Sequence, residues 1–120
     1  MPSPRRVLVV DDNRTVAKTV ATLVRLLGHY CTCAFDARTA LEMAADFQPD
    51  VILMDLRMPD MDGFAAARAL REAGCNAKIV AITGFSEAVF DERPLDVGFD
   101  GFLTKPATAE QISAVVAELA

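Results

Sequence analysis

The 120 residues include 12 lysines and arginines against 17 aspartates and glutamates, which gives a formal net charge of −5. With 52% hydrophobic and 24% charged residues, the composition is that of one globular domain and excludes a disordered chain. The acidity and the dispersed basic residues argue against nucleic-acid binding, and no apolar run is long enough to enter a bilayer as a spanning helix. The three cysteines, an odd number, and the absence of a signal-peptide pattern predict a reduced, cytoplasmic protein.

Short β-branched segments alternate along the chain with amphipathic helical segments. Strands are predicted at residues 6–10, 30–35, 51–54, 78–82 and 101–103. Three of these runs, VLVV, VILM and IVAI, are apolar without alternation, which is typical of parallel strands covered on both faces. About five βα units therefore predict an α/β fold in which a parallel sheet lies between two layers of helices.

Residues that begin and end helices occur at the expected places. Asp36 is a candidate N-cap for a helix over 37–47, and Thr108 with Gln111 has the spacing of a capping box before the last helix. Left-handed C-caps are predicted at Gly28, Gly74 and Gly98. The chain then ends without a linker or a change of composition, so we expect a single domain over residues 1–120 with no effector domain.

The helix expected over residues 87–97 contains Pro94. Proline lacks a backbone donor and clashes with the carbonyl four residues earlier, and it also disfavours the helical conformation at Arg93. We therefore expect either a short helix that ends near Arg93, with Pro94 opening a second turn, or an irregular segment.

Polar side chains follow the carboxyl ends of the predicted strands, where ligands bind in open parallel sheets. In chain order they are Asp11, Asp12, Asp36, Asp55, Thr83 and Lys105. Three close carboxylates repel one another in a partly desolvated cleft, and a divalent cation would relieve that repulsion. Oxygen ligands without histidine or cysteine favour Mg²⁺, or Mn²⁺ in its place. An ammonium and a hydroxyl suit phosphoryl oxygens, so these residues predict a phosphoryl-transfer site with an aspartate as acceptor.

The segments VLVVDDN, VILMDLRMPDMDG, IVAITG and GFLTKP resemble the receiver domain of two-component response regulators, and the resemblance covers essentially the whole chain. It implies a flavodoxin-like, doubly wound (βα)5 fold with the strand order 2-1-3-4-5, as in the chemotaxis receiver. It also implies that Asp55 accepts a phosphoryl group from a phosphohistidine on a sensor histidine kinase or a phosphotransfer protein. A receiver catalyses only its own phosphorylation and dephosphorylation, so no conventional enzyme is expected.

The resemblance assigns roles to further residues. Asp12, Asp55 and the backbone carbonyl of Arg57 would ligate Mg²⁺ directly, whereas Asp11 would act largely through a water. Thr83 and Lys105 would hold phosphoryl oxygens, and Phe102 matches the family's switch aromatic, which turns inward as the hydroxyl moves toward the phosphoryl group. The fourth helix, the fifth strand and the fifth helix would form the face that contacts a downstream protein.

Two other classes also fit part of the pattern. The sequence DDNRT after the first strand resembles the nucleophile motif of haloacid-dehalogenase-like phosphatases, but Asn13 stands where that motif needs an aspartate as general acid. A flavodoxin-like binding module would suit the fold, but no glycine-rich phosphate loop follows the first strand.

Overall fold

The computed structural model describes residues 4–56, 63–83, 99–105 and 107–119. The strands are β1 (Arg6–Val10), β2 (Tyr30–Ala34), β3 (Val51–Asp55), β4 (Lys78–Thr83) and β5 (Gly101–Thr104). The helices are α1 (Arg14–Leu26), α2 (Ala37–Phe47), α3 (Gly63–Glu72) and the C-terminal helix (Ala109–Leu119). All five predicted strands are confirmed, each with its ends within one residue of the prediction. The predictions for Arg57, Gly98 and the helix over 87–97 lie outside the described residues.

The five strands form one parallel sheet in the order β2-β1-β3-β4-β5. Strands β1 and β3 are neighbours, with Val7 opposite Val51, and β3 continues the sheet to β4, with Asp55 opposite Ile82. The chain therefore builds outward from β1 to β2 on one side and through β3 to β5 on the other. The order predicted from the resemblance is confirmed, and the turning point of the topology lies between β1 and β3.

The two faces of the sheet are buried by different helices. Alternate residues of a strand point to opposite faces, so Val7 and Val9 pack with α1 and the C-terminal helix, whereas Leu8 and Val10 pack with α2 and α3. The strands β1 and β3 are almost completely buried. This two-sided burial explains why their sequences are continuous apolar runs, as the sequence predicts.

The predicted helix ends are confirmed where the structure describes them. The carboxylate of Asp36 accepts a hydrogen bond from the Thr39 N–H at 2.7 Å, and this bond lowers the pKa of Asp36. Gly28 and Gly74 have φ values of 96° and 90°, in the left-handed region that favours glycine. Before the C-terminal helix, Thr108 and Gln111 exchange side-chain hydrogen bonds of 2.9 and 3.1 Å, which completes the capping box.

Strand β2 forms one edge of the sheet and contains two of the three cysteines. Cys31, Cys33 and Cys75 are all free and partly buried. Burial, with a smaller effect of Cys33, raises the pKa of the Cys31 thiol to about 12. At the start of β2, the Nδ1 atom of His29 accepts a hydrogen bond from the Arg5 N–H at 2.9 Å. His29 therefore makes a structural contact in the loop between α1 and β2.

None of the described helices is both long enough and apolar enough to cross a bilayer.

Candidate phosphoryl-transfer site

Three carboxylates converge at the carboxyl ends of β1 and β3. Asp11 and Asp12 follow β1 directly, and Asp55 is the last residue of β3. One carboxylate oxygen from each of the three side chains lies within 4.8 Å of the other two. Asp11 is 4% exposed and Asp55 is 8% exposed, whereas Asp12 faces solvent. The predicted convergence is therefore observed for all three aspartates.

The position of Asp11 is set by three hydrogen bonds. Its N–H donates to the Ala34 carbonyl at 3.1 Å, which continues the pairing of β1 with β2. Its Oδ1 accepts from the Asn13 N–H at 2.9 Å, and its Oδ2 accepts from the Lys105 Nζ at 2.9 Å. Asn13 in turn caps α1, because its side-chain oxygen accepts from the Val16 N–H. Asp11 is thus held by β2, by the start of α1 and by Lys105.

Lys105 reaches the carboxylates from the residue after β5. Its Nζ lies 2.9 Å from Asp11 Oδ2 and 3.5 Å from Asp55 Oδ2. Desolvation is the largest single effect on the Lys105 pKa and lowers it, but the hydrogen bond to Asp11 and the charges of Asp55 and Asp11 outweigh it and raise the pKa overall. Lys105 is therefore a cation over the whole neutral range.

The first residue of α3 lies directly against the end of β3. The Gly63 N–H donates to the Leu56 carbonyl at 2.8 Å. A Cβ atom at Gly63 would lie 2.8 Å from the Asp55 carbonyl oxygen and 2.7 Å from the Leu56 Cα. Only glycine permits this approach of α3 to the strand that carries Asp55.

Thr83 is the last residue of β4, where it pairs with Thr104 of β5. Its backbone therefore lies at the same end of the sheet as Asp55 and Lys105. The role of its hydroxyl stays a prediction, and so does that of the Arg57 carbonyl, which lies outside the described residues.

Phe102 lies in β5, opposite Ala81 of β4. It belongs to a small apolar cluster next to the carboxylates that contains Leu56, Phe64, Ala81, Phe99 and Phe102. The centre of the Phe99 ring lies 5.3 Å from that of Phe64 and 5.5 Å from that of Phe102. Neither Phe64 nor Phe99 stands at a strand end or in a polar motif, so the sequence predicts no role for them.

The donor set fits a hard divalent cation. It consists of carboxylate oxygens, and the metal-ligating cluster found among the described residues contains no histidine or cysteine. Among the described residues, three carboxylates face the ammonium of Lys105, and this excess of negative charge attracts a cation. The same ammonium offers three hydrogen-bond donors to an incoming anion.

Comparisons with known proteins agree with this geometry. The family model described as the response regulator receiver domain matches residues 7–117. The chain is 34% identical over 116 residues to the regulatory protein AtoC of Escherichia coli and 34% identical over 111 residues to the response regulator MprA of Mycolicibacterium vanbaalenii. These alignments cover 97% and 92% of this chain but 25% and 48% of the relatives, so the chain spans half or less of their length.

Among solved structures, the chemotaxis protein CheY4 of Vibrio cholerae superposes with a TM-score of 0.90 at 28% sequence identity. The superposition covers 98% of this chain and 100% of that chain. Neither the phosphatase nor the binding-module alternative gains support from these matches. The chain therefore belongs to the receiver domain family of two-component response regulators.

Proposed function

We propose that Asp55 is the phosphoryl acceptor of this receiver domain and that Lys105 and Thr83 hold the transferred group. The observation that carries the proposal is the position of the Lys105 ammonium, which contacts both Asp11 and Asp55 at the buried ends of β1 and β3. A lysine held between two carboxylates can transfer one of its contacts to a phosphoryl oxygen without leaving the site.

The chemistry is nucleophilic displacement at phosphorus. An oxygen of the Asp55 carboxylate forms a bond to the phosphorus of a phosphohistidine, and the P–N bond breaks with its electron pair leaving on the imidazole nitrogen. The product is an acyl phosphate on Asp55, and the donor leaves as a neutral histidine when the other nitrogen of its imidazole already carries a proton. Lys105 then donates to a phosphoryl oxygen, and the Thr83 hydroxyl donates to another.

We propose that the carboxylate cluster binds Mg²⁺, with Mn²⁺ as a substitute. Asp12, Asp55 and the Arg57 carbonyl would be direct ligands, and Asp11 would act through a water. When bound, the metal neutralises the negative charge of the phosphoryl oxygens as Asp55 approaches. Support comes from the three carboxylate oxygens within 4.8 Å of one another.

Residues 1–120 are proposed to act as one receiver unit that is phosphorylated by a sensor histidine kinase or a phosphotransfer protein in the cytoplasm. We place the contact with a downstream protein on residues 87–97, β5 and the C-terminal helix. The net charge of −5 favours a protein partner over nucleic acid or a membrane. The domain would act on itself and would not turn over a separate substrate.

The test is labelling with acetyl phosphate and Mg²⁺, followed by intact-mass measurement. The wild-type chain is expected to gain one base-labile phosphoryl group, and Asp55→Asn is expected to gain none. Asp46→Asn, at an exposed position of α2, is the matched control and should label like the wild type. Equal labelling of Asp55→Asn and the wild type would disprove the assignment of the acceptor.

A second series tests the residues around Asp55. Asp12→Asn should need more Mg²⁺ for half-maximal labelling, because one charged ligand is lost. Lys105→Ala should keep the circular dichroism spectrum of the wild type and lose the amide chemical-shift changes that beryllofluoride, a phosphoryl mimic, produces. A full response to beryllofluoride in Lys105→Ala would contradict the role of this lysine.

A further inference from the structure

The segment that enters β5 carries an aromatic ring which bridges two elements. Phe99 lies between Phe64, in the first turn of α3, and Phe102, in β5. The Phe64 and Phe99 rings meet edge to face, at 83° and 5.3 Å, and the Phe99 and Phe102 rings are tilted by 43° at 5.5 Å. Both separations are in the range in which aromatic pairs attract each other beyond their burial.

The backbone next to Phe99 is fixed by its neighbour, Asp100. The Asp100 N–H donates to the Ile79 carbonyl at 2.7 Å, and the Asp100 carboxylate accepts from the Ile79 N–H at 2.9 Å. The same carboxylate accepts from Arg71 Nη2 at 2.8 Å, and Arg71 Nη1 donates to the Ala77 carbonyl. Because Asp100 is bonded to β4 and to the last turn of α3, the backbone beside Phe99 is held close to the cluster.

The aromatic cluster is continuous with the phosphoacceptor strand. Leu56, which follows Asp55 and is 3% exposed, packs in the same cluster as Phe64 and Phe102. The Leu56 carbonyl also accepts from the Gly63 N–H at the start of α3. A movement of the backbone at the end of β3 therefore displaces residues that pack with Phe64, and the Phe64 ring contacts the Phe99 ring.

We propose that Phe99 is a positioning residue for the switch: its ring holds Phe102 against α3 and opposes the rotation of Phe102 that accompanies phosphorylation of Asp55. The inference rests on the proposed function, because it assumes that Phe102 turns inward from its present, partly exposed place when Asp55 carries a phosphoryl group. Such a turn moves the Phe102 ring away from the place where it contacts Phe99 at 5.5 Å. The contact therefore raises the free energy of the phosphorylated arrangement relative to the one described here.

The experiment is a titration of the protein with beryllofluoride in the presence of Mg²⁺, followed by amide NMR. Phe99→Ala is expected to bind beryllofluoride about 2- to 10-fold more tightly than the wild type, as the loss of one aromatic pair implies. Phe47→Ala, in which the deleted ring lies in α2 under the Arg6 guanidinium, is the matched control and should bind like the wild type. Phe99→Leu keeps an apolar side chain without a ring and should bind about twofold more tightly, so it carries the test if Phe99→Ala does not fold.

The Phe102→Ala background separates positioning from general loosening of the fold. When Phe99→Ala is added to Phe102→Ala, the affinity for beryllofluoride should not change further, because the ring that Phe99 positions is already absent. An unchanged or weakened affinity in Phe99→Ala, or the same gain in both backgrounds, would overturn the inference. If the wild type itself neither binds beryllofluoride nor becomes labelled on Asp55, the proposed function fails as well. Normal wild-type labelling with no effect of Phe99→Ala refutes the positioning role alone.

Discussion

Replacement of Gly63 by alanine tests how tightly α3 is packed against the phosphoacceptor strand. The new Cβ would lie 2.7 Å from the Leu56 Cα, 2.8 Å from the Asp55 carbonyl oxygen and 2.9 Å from the Leu56 Cδ2. Two of these atoms belong to the backbone, so the clash cannot be relieved by a side-chain rotation alone. Overpacking of this kind costs about 2 to 3 kcal/mol, the upper part of the usual range.

Part of that cost is offset because alanine favours a helix over glycine by about 1 kcal/mol. The net loss in the free energy of unfolding should therefore be about 1 to 2 kcal/mol. With an unfolding entropy of about 2.1 cal/mol/K per residue, this loss corresponds to a fall in Tm of about 4 to 8 °C. The clash also displaces backbone atoms of Asp55 and Leu56, so the rate of labelling with acetyl phosphate should fall as well.

Urea and thermal unfolding measure the stability of Gly63→Ala, and intact-mass kinetics measure its labelling. Ala65→Gly, an exposed position of the same helix, is the matched control: it should lose about 1 kcal/mol through helix propensity and label at the wild-type rate. If Gly63→Ala is as stable as the wild type or more stable, the packing argument is wrong.

Three further predictions concern sites away from the carboxylates. Burial, with a smaller effect of Arg5, lowers the pKa of His29. Near and below about pH 6.5, the ordinary pKa of histidine, the unfolded chain therefore binds more protons than the folded chain. The free energy of unfolding should fall more steeply from about pH 7 to pH 5 in the wild type than in His29→Asn. Equal slopes would contradict this. Burial raises the pKa of Cys31 to about 12, so little of its thiol is ionised at about pH 8. It should therefore react with a disulfide reagent at least about a hundredfold more slowly in the folded chain than in urea, and peptide mapping measures the difference. Thr108→Ala should lower the free energy of unfolding by about 1 kcal/mol in urea titrations, because the Gln111 N–H loses its capping acceptor, and an unchanged midpoint would refute this.

A feature could be predicted from the sequence when the residues that determine it are close together in the chain. Apolar runs, helix caps and polar strand ends depend on neighbouring residues, so β3, the Asp36 cap and the position of Asp55 could be predicted from local patterns. The strand order needed the family resemblance, because periodicity contains no information about which strands pair. That order is what brings Lys105 to Asp11.

Other features of the site depend on distances that no local pattern contains. The close approach of Gly63 to β3 requires the crossing of α3 over the sheet, and the ring contact of Phe99 with Phe64 joins segments far apart in the chain. Asn13 is different, because an asparagine directly before a helical segment is a recognisable N-cap. Its capping role was nevertheless not predicted, because Asn13 was considered only as a missing general acid.

The position of β5 at the edge of the sheet connects ligand binding at the carboxylate site with hydrogen exchange. Among the described strands β5 is the outer one on its side of the sheet and pairs only with β4, and it is partly exposed at Gly101, Phe102 and Leu103. Amides in such an edge strand exchange with solvent through low-energy local openings. An opening that includes the end of β5 also separates Lys105, the next residue, from Asp11. A ligand that binds Lys105 is therefore expected to slow hydrogen exchange at the end of β5, so this edge strand reports occupancy of the carboxylate site.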